Sequence, residues 1–338
     1  MEAGSAAPRS RAWLFRAVGV LAALYVVVIL ALMWWWDYEP PHFDVATTAE
    51  ARVAAKHQKL VPGSVTVSTV IGCAETLLDK RGGYLSNDKL PPGVLMDNVP
   101  NWEFGVLVAT RDLSDALRNE FSRSQTQSTE DEDLKQAAPL FNSPNDRWLL
   151  PSSERQYSKA ISYVDHYLTR LADNNLEDAQ FFARADNLSD YLQTVSTRLG
   201  SLSQRLSASV GQERIDTDLA GDPNAQQSTP STSPRVVKTP WTEIDDNFYE
   251  ARGYTWALRE QLEAIRIDFG PVLRDKNAMV SLDQVIRELH ESQNPVGSPI
   301  ILNGSPFGFF ANHSLVMANY ISRANAAVID LRELLRRG

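Results

Sequence analysis

The chain has 338 residues, 43% hydrophobic and 22% charged, with 33 basic against 42 acidic side chains and a net charge of -9. These values exclude a disordered polymer, a collagen-like chain and a disulfide scaffold, and the acidity argues against a nucleic-acid binder, which needs a basic face. The single cysteine, Cys73, forms neither an intramolecular disulfide nor a cysteine metal site.

The first predicted element is a membrane span. Ala17 to Trp36 runs for 20 residues without a charge, which at about 1.5 Å per residue covers roughly the 30 Å of a hydrocarbon core. Arg9, Arg11 and Arg16 precede it, and Asp37, Glu39 and Asp44 follow. Basic flanks stay on the cytoplasmic side, so the N-terminus is expected inside and the remainder outside. Trp34, Trp35, Trp36 and Tyr38 suit the outer interface. No small-residue cleavage site follows the apolar run, so an uncleaved anchor is expected rather than a signal peptide. A cytoplasmic tail of 16 residues is too short for an enzymatic output domain.

Beyond the anchor, apolar residues recur at alternating steps of three and four. One stripe runs from Phe181 through Leu188, Leu192, Val195, Leu199 and Leu202 to Leu206. A second runs from Trp241 through Ile244, Phe248, Leu258 and Ile265 to Phe269, and a third from Phe310 through Met317, Ile321 and Val328 to Leu335. Shorter runs start at Val67, Val106 and Tyr157. Such stripes predict long helices packed at small angles, within one chain or between chains. Thr129 with Glu132 and Ser153 with Gln156 match capping boxes, and Thr239 before Pro240 reads as a helix start. Gly211, Gly270-Pro271 and the Pro295–Pro299 stretch read as stops. No strand set is predicted, although Gly93 to Leu95 is a candidate for local pairing. The expected fold is all-α: an N-terminal single transmembrane helix followed by a long-helix bundle, in one or two packed helical subdomains. Its divisions are a tail over 1–16, the anchor over 17–36, a helical region over 45–221, a Ser/Thr/Pro-rich linker over 222–239 and a C-terminal helical region over 240–338.

Motifs for chemistry are sparse. The five histidines form no HExxH, and the one Glu-x-x-His, Glu39 to His42, is proline-rich and beside the anchor, so no metal site or other cofactor is expected. There is no G-x-S-x-G, Walker A or G-x-G-x-x-G. Cys73 falls on an apolar helix face, which reads as a small buried thiol. Glu243, Asp246 and Glu250 share a helix face near its N-terminus, where acids favour the dipole. Two loops mix glycine, aromatic and amide groups: Gly82 to Trp102, with Asn87 and Asp88, and Ile300 to His313, with Asn303 and Asn312. Asn87, Asp88, Trp102, Asn303, Asn312 and His313 are therefore the candidates for ligand or partner contact. The same mixture also suits ordered loops whose amides cap helices.

The segments AETLLDKRGGYLSND (74–88), WLLPSSE (148–154), RLGSLSQRLSASVG (198–211), KTPWTEIDDNFYEARG (238–253) and ANHSLVMANYISRANAAVIDLR (311–332) resemble an uncharacterised proteobacterial family, domain of unknown function family 2333. The resemblance covers nearly the whole chain. It implies an inner membrane protein facing the periplasm, and it implies no activity and no functional residue. The expected function is a membrane-anchored periplasmic interaction or scaffold protein. Its partners would be the lipid bilayer, through the anchor, and another envelope protein, with a homo-oligomer as a further possibility and no nucleic acid. Enzymatic activity is left open. The alternative is a ligand-binding or hydrolytic protein that uses the two loops.

Overall fold

The structure is a computed structural model that describes residues 9–124, 129–173, 175, 178–214, 235–298 and 300–337. The chain opens with α1 (Arg9–Trp36), of which Trp13–Trp36 is long and apolar enough to cross a membrane and is scarcely covered by the rest of the protein. An extended segment then leads into α2 (Val45–Ala54), α3 (Ser64–Asp79) and α4 (Asn98–Ala116), which runs on through a turn of π-helix to Phe121. Next come α5 (Glu132–Phe141), α6 (Ser153–Leu171) and α7 (Ala185–Ser207). A short antiparallel ribbon pairs β1 (Gln212–Arg214) with β2 (Arg235–Val237). The chain ends with α8 (Ile244–Asp268), α9 (Gly270–Asp275), α10 (Met279–Glu291) and α11 (His313–Arg336). α3, α4, α6, α7, α8 and α11 fall on the predicted apolar runs, whereas no run marks α2, α5 or α9. Most of the Ser/Thr/Pro-rich linker lies outside the described residues.

One hydrophobic core runs through helices from both sides of that linker: Val70 of α3, Leu113 of α4, Leu192 of α7, Leu258 of α8 and Val328 of α11 belong to the same cluster. The three long stripes therefore pack within one chain. Two of their first members are exceptions. Trp241 and Phe310 are exposed, and each precedes its helix.

α8 is the centre of the bundle, buried on every side from Ala251 through Leu258. It crosses α4 so closely that backbone touches backbone. An ideal Cβ on Gly253 would overlap the Trp102 carbonyl, and one on Gly105 would overlap the Glu250 carbonyl. Glycine on each helix is what permits this approach. At the far end of α8, Asp268 accepts hydrogen bonds from Thr66 N and Thr66 Oγ1, both 2.7 Å. It caps α3 from outside, where Gly63 has no side chain to do so.

Some boundaries differ from expectation for identifiable reasons. Asp131, not Thr129, caps α5, and Ser152, not Ser153, caps α6. In each case the nearer oxygen reaches the free N–H groups of the first turn. Ser153 instead turns inward, and its hydroxyl donates to the Pro144 carbonyl at 2.8 Å. After Pro240 the chain makes a 3-10 turn, Trp241–Glu243, before α8 begins. Gly93–Leu95 forms a 3-10 turn and pairs with no strand.

The close crossing sets an expected outcome. Gly253→Ala should lower stability by about 3 kcal/mol, the upper part of the overpacking range, because a backbone carbonyl cannot move aside. Gly200→Ala on α7, whose nearest neighbour would be Asn325 Nδ2 at 3.6 Å, should be neutral or stabilising by up to about 1 kcal/mol. Denaturant unfolding of the two variants in detergent checks the contrast.

Candidate functional site at the anchor end of the bundle

The residues after α1, Asp37-Tyr38-Glu39-Pro40-Pro41-His42-Phe43-Asp44, form a strap along α8. Two prolines hold it extended, so it advances about 3 Å per residue. α8 advances about 1.5 Å per residue. Side chains on successive turns of α8 therefore meet successive groups of the strap: Arg252 meets Glu39, Trp256 meets Pro40 and Glu260 meets His42.

Arg252 joins three elements. Its Nε lies 2.6 and 2.7 Å from the two Glu39 carboxylate oxygens. Its terminal nitrogens donate to the carbonyls of Ser292 (3.3 Å), Asn294 (3.0 Å) and Gln293 (3.0 Å), at the C-terminal end of α10. The guanidinium is nearly buried, and a planar fork with five donors is suited to satisfying so many oxygens at once. One turn on, Trp256 Nε1 donates to the Pro40 carbonyl at 3.1 Å, and the His42 ring stacks on the indole at 5.6 Å between centroids. Phe43 and Trp102 meet the same indole edge-on, at 6.0 and 5.3 Å. His42 Nδ1 is bonded to the buried Glu260 carboxylate. Burial pushes the Glu260 carboxyl above the ordinary glutamate range, and the His42 bond partly opposes this.

The other end of the same surface is the loop after α3. Glu103 of α4 is fully buried and pairs with Lys80 at 2.6 Å, while accepting from Leu85 N, Ser86 N and the Ser86 hydroxyl. Burial raises its carboxyl despite the lysine. One carboxylate thus folds the Gly82–Asp88 loop over the end of the bundle.

The six sequence candidates fall into separate places. Asn87 is buried, its Nδ2 donating to the Arg147 carbonyl (3.0 Å) and to Glu154 (2.8 Å). Asp88 beside it is half-buried, and burial and Glu154 raise its carboxyl. Trp102 is a core side chain under the strap, at the floor of a cavity of about 460 Å³ that Asp37, Glu39 and Arg252 also line. Asn303 and Asn312 face each other across a single bridge in a hairpin. Asn312 caps α11 by accepting from Leu315 N at 2.9 Å and also donates to the Gly304 carbonyl at 2.7 Å. His313 Nδ1 accepts from Leu302 N at 3.0 Å, and burial lowers its pKa. The imidazole borders a second cavity, about 290 Å³, shared with Phe248, Arg252 and Val296. Only Asn303, Asn312 and His313 are brought together, and their polar atoms organise the hairpin.

Sequence reasoning missed Arg252, Trp256 and Glu260. Their signal was a second i, i+4, i+8 row on a helix whose apolar stripe already accounted for its packing. Glu39 was weighed as an acidic flank of the span and, with His42, as a metal ligand; both seat the strap on α8. Among the described residues no cluster of three or more His, Cys, Asp or Glu side chains is placed to hold a metal ion. Cys73 is fully buried, and burial raises its thiol well above the usual range, as a core residue's would be. Of the acidic row on α8, Glu250 pairs with Arg205 at 2.5 Å and Asp246 accepts from Asn101 at 2.6 Å.

Two outcomes follow. Arg252→Ala should cost about 3 kcal/mol, because Glu39 and three carbonyls lose their donor, and it should open residues 37–44 to limited proteolysis. Arg252→Lys should recover less than half, since an ammonium cannot span the same oxygens. For Glu260, the folded pKa lies above the unfolded value of 4.5. Its contribution to stability is therefore complete below that pH and declines as pH rises through the folded pKa. In Glu260→Gln this decline is absent, so urea unfolding between about pH 4 and about pH 7 should shift in the variant's favour with rising pH; parallel curves would contradict the assignment.

No curated protein and no solved structure matches the chain. The family whose model matches residues 8–338 is described as an uncharacterized protein conserved in bacteria (DUF2333), and with nearly its whole length covered the chain belongs to that family.

Proposed function

We propose that this protein is a single-pass membrane protein whose helical bundle is held at the membrane surface to bind another protein of the cell envelope. The observation that carries the reading is the strap. A protein that only needed tethering would connect its anchor by a flexible stalk. Here Glu39, Pro40 and His42 bind successive turns of the central helix immediately after α1. The bundle is thereby held at a fixed height and rotation relative to the anchor, which is of use when a surface must be presented to a partner in or on the same membrane.

The charges flanking α1 favour a cytoplasmic N-terminus and a bundle on the opposite, periplasmic side. The heptad-like stripes are used inside the chain, so a partner or a second copy would meet the outer faces of the helices. Asn312, the Asn303 amide nitrogen and His313 Nδ1 are engaged within the hairpin and the start of α11, which leaves fewer groups for the alternative of a ligand-binding or hydrolytic site built on them.

Photo-crosslinking groups at exposed helix positions, activated in intact cells and followed by gentle detergent purification and mass spectrometry, test the reading. A stoichiometric envelope protein crosslinked at a contiguous set of positions is expected. Only self-crosslinks, or none, would overturn it.

A further inference from the structure

The exposed large apolar side chains outside α1 are unevenly placed. Most lie in loops at one end of the bundle, where α1 joins it. Among the described residues, Leu60, Ile267, Val280, Val316 and Ile329 are the others outside these loops. We propose that the loops at the α1 end dip into the bilayer that α1 spans, so that the bundle is seated on the lipid surface at several points; this rests on reading α1 as a membrane span.

The first point of contact is the loop between α3 and α4. It packs directly on the last turn of α1. The Arg81 guanidinium sits 4.4 Å from the Trp35 ring and 4.0 Å from the Tyr38 ring. Gly82 is so close to Trp36 that a Cβ would lie 2.8 Å from the indole. Leu95 and Met96 line one hollow with Met33, Trp34 and Asp37. Leu90, Val94 and Leu95 are therefore level with the aromatic end of the span, yet they are exposed. Tryptophan and tyrosine at the end of a span mark the headgroup boundary, so side chains at their level meet lipid.

The second point is the segment before α6. Asn87 of the first loop holds the Arg147 carbonyl, and the three residues that follow, Trp148, Leu149 and Leu150, are all exposed. The third is Trp241. Asp246 bonds Asn101 in the first turn of α4, and Trp241 lies five residues before Asp246, beyond the start of α8. The fourth is the hairpin before α11. Its base is closed by His313 N donating to Leu302 O at 2.8 Å and Gly304 N donating to Ala311 O at 3.1 Å. Its tip carries Phe307 and Phe309, both fully exposed, with Phe310 largely so. The chain leading to it, Pro295 to Ser298, walls the same cavity as Asp37 and Glu39.

Four separate loops thus reach the level of one membrane boundary with Trp, Phe and Leu outward. An apolar tip of this kind is unfavourable in water. Arg81, Lys89 and Arg147 are exposed among these loops, but so are Asp97, Asp146 and Glu243, so the apolar tips rather than net charge carry the contact. A bilayer is the occupant already present at that level wherever α1 spans it, and the span itself is scarcely covered by protein.

The test uses the full chain in vesicles of phosphatidylcholine and phosphatidylglycerol. Single environment-sensitive fluorophores are placed through Leu24→Cys, Leu149→Cys, Phe309→Cys and Val280→Cys; Cys73 is buried and stays unlabelled in the folded chain. Lipids carrying a nitroxide near the top of the acyl chain act as quencher. The expected result is quenching of roughly twofold or more at positions 24, 149 and 309, and none at 280 at the opposite end. Quenching at 24 without quenching at 149 and 309 would overturn the inference and leave the span intact. Blue-shifted but unquenched fluorescence at 149 and 309 would mean that protein covers the loops, which also overturns it. Absence of quenching at 24 would remove the span itself, and the inference with it.

Discussion

The contact on which the rest of the structure depends is the backbone crossing of α4 and α8 at Gly105 and Gly253. Two helices normally meet through side chains, which hold their axes 8–10 Å apart. Here glycine on each side brings the Trp102 carbonyl onto the Gly253 backbone. The approach sets the Trp102 ring against Trp256. That indole in turn receives Pro40 and His42. The position of the anchor relative to the bundle is thus a consequence of two missing side chains deep in the core.

A second regularity is the way interior polar groups are used. Arg252, Glu103 and Asp268 all sit on helices at the centre of the bundle, where an unpaired charge would be strongly destabilising. Each is satisfied largely by groups of a neighbouring segment. Arg252 holds the end of α10 and the strap, Glu103 holds the Gly82–Asp88 loop, and Asp268 caps α3. The polar groups of the core therefore specify where loops lie, while the apolar stripes specify how helices pack. This division explains why the Gly82–Asp88 loop is ordered, since Glu103 imposes its conformation from within, whereas the 300–313 hairpin is held by its own Asn312 and His313.

The helices were legible because burial on one face imposes a repeat that any reader of Leu188 to Leu206 or Ile244 to Phe269 can find. Caps were legible only to within a residue or two, because Ser152 and Ser153, or Thr129 and Asp131, offer similar oxygens, and geometry alone chooses between them. The six candidates for ligand or partner contact were picked from loop composition, which does not show the partners their side chains take within the fold. Asn312 caps α11 locally, whereas Asn87 bonds Glu154, 67 positions away. Trp241 and Phe310 continue their stripes in sequence and leave the core in space, since a period cannot say where a helix stops being covered.

By itself the sequence determined the apolar helix at the start, the helical class, the stripes and the family, all of which depend on local composition and spacing. Only the tertiary structure decided that both sides of the linker share a core, that Glu39 and His42 bind α8, and that the loop after α3 packs on the end of α1. Those facts depend on pairs such as His42 with Glu260, which are 218 positions apart. Spacing along the chain carries no trace of such a pair, and their meeting is set by the closest approach of two helices.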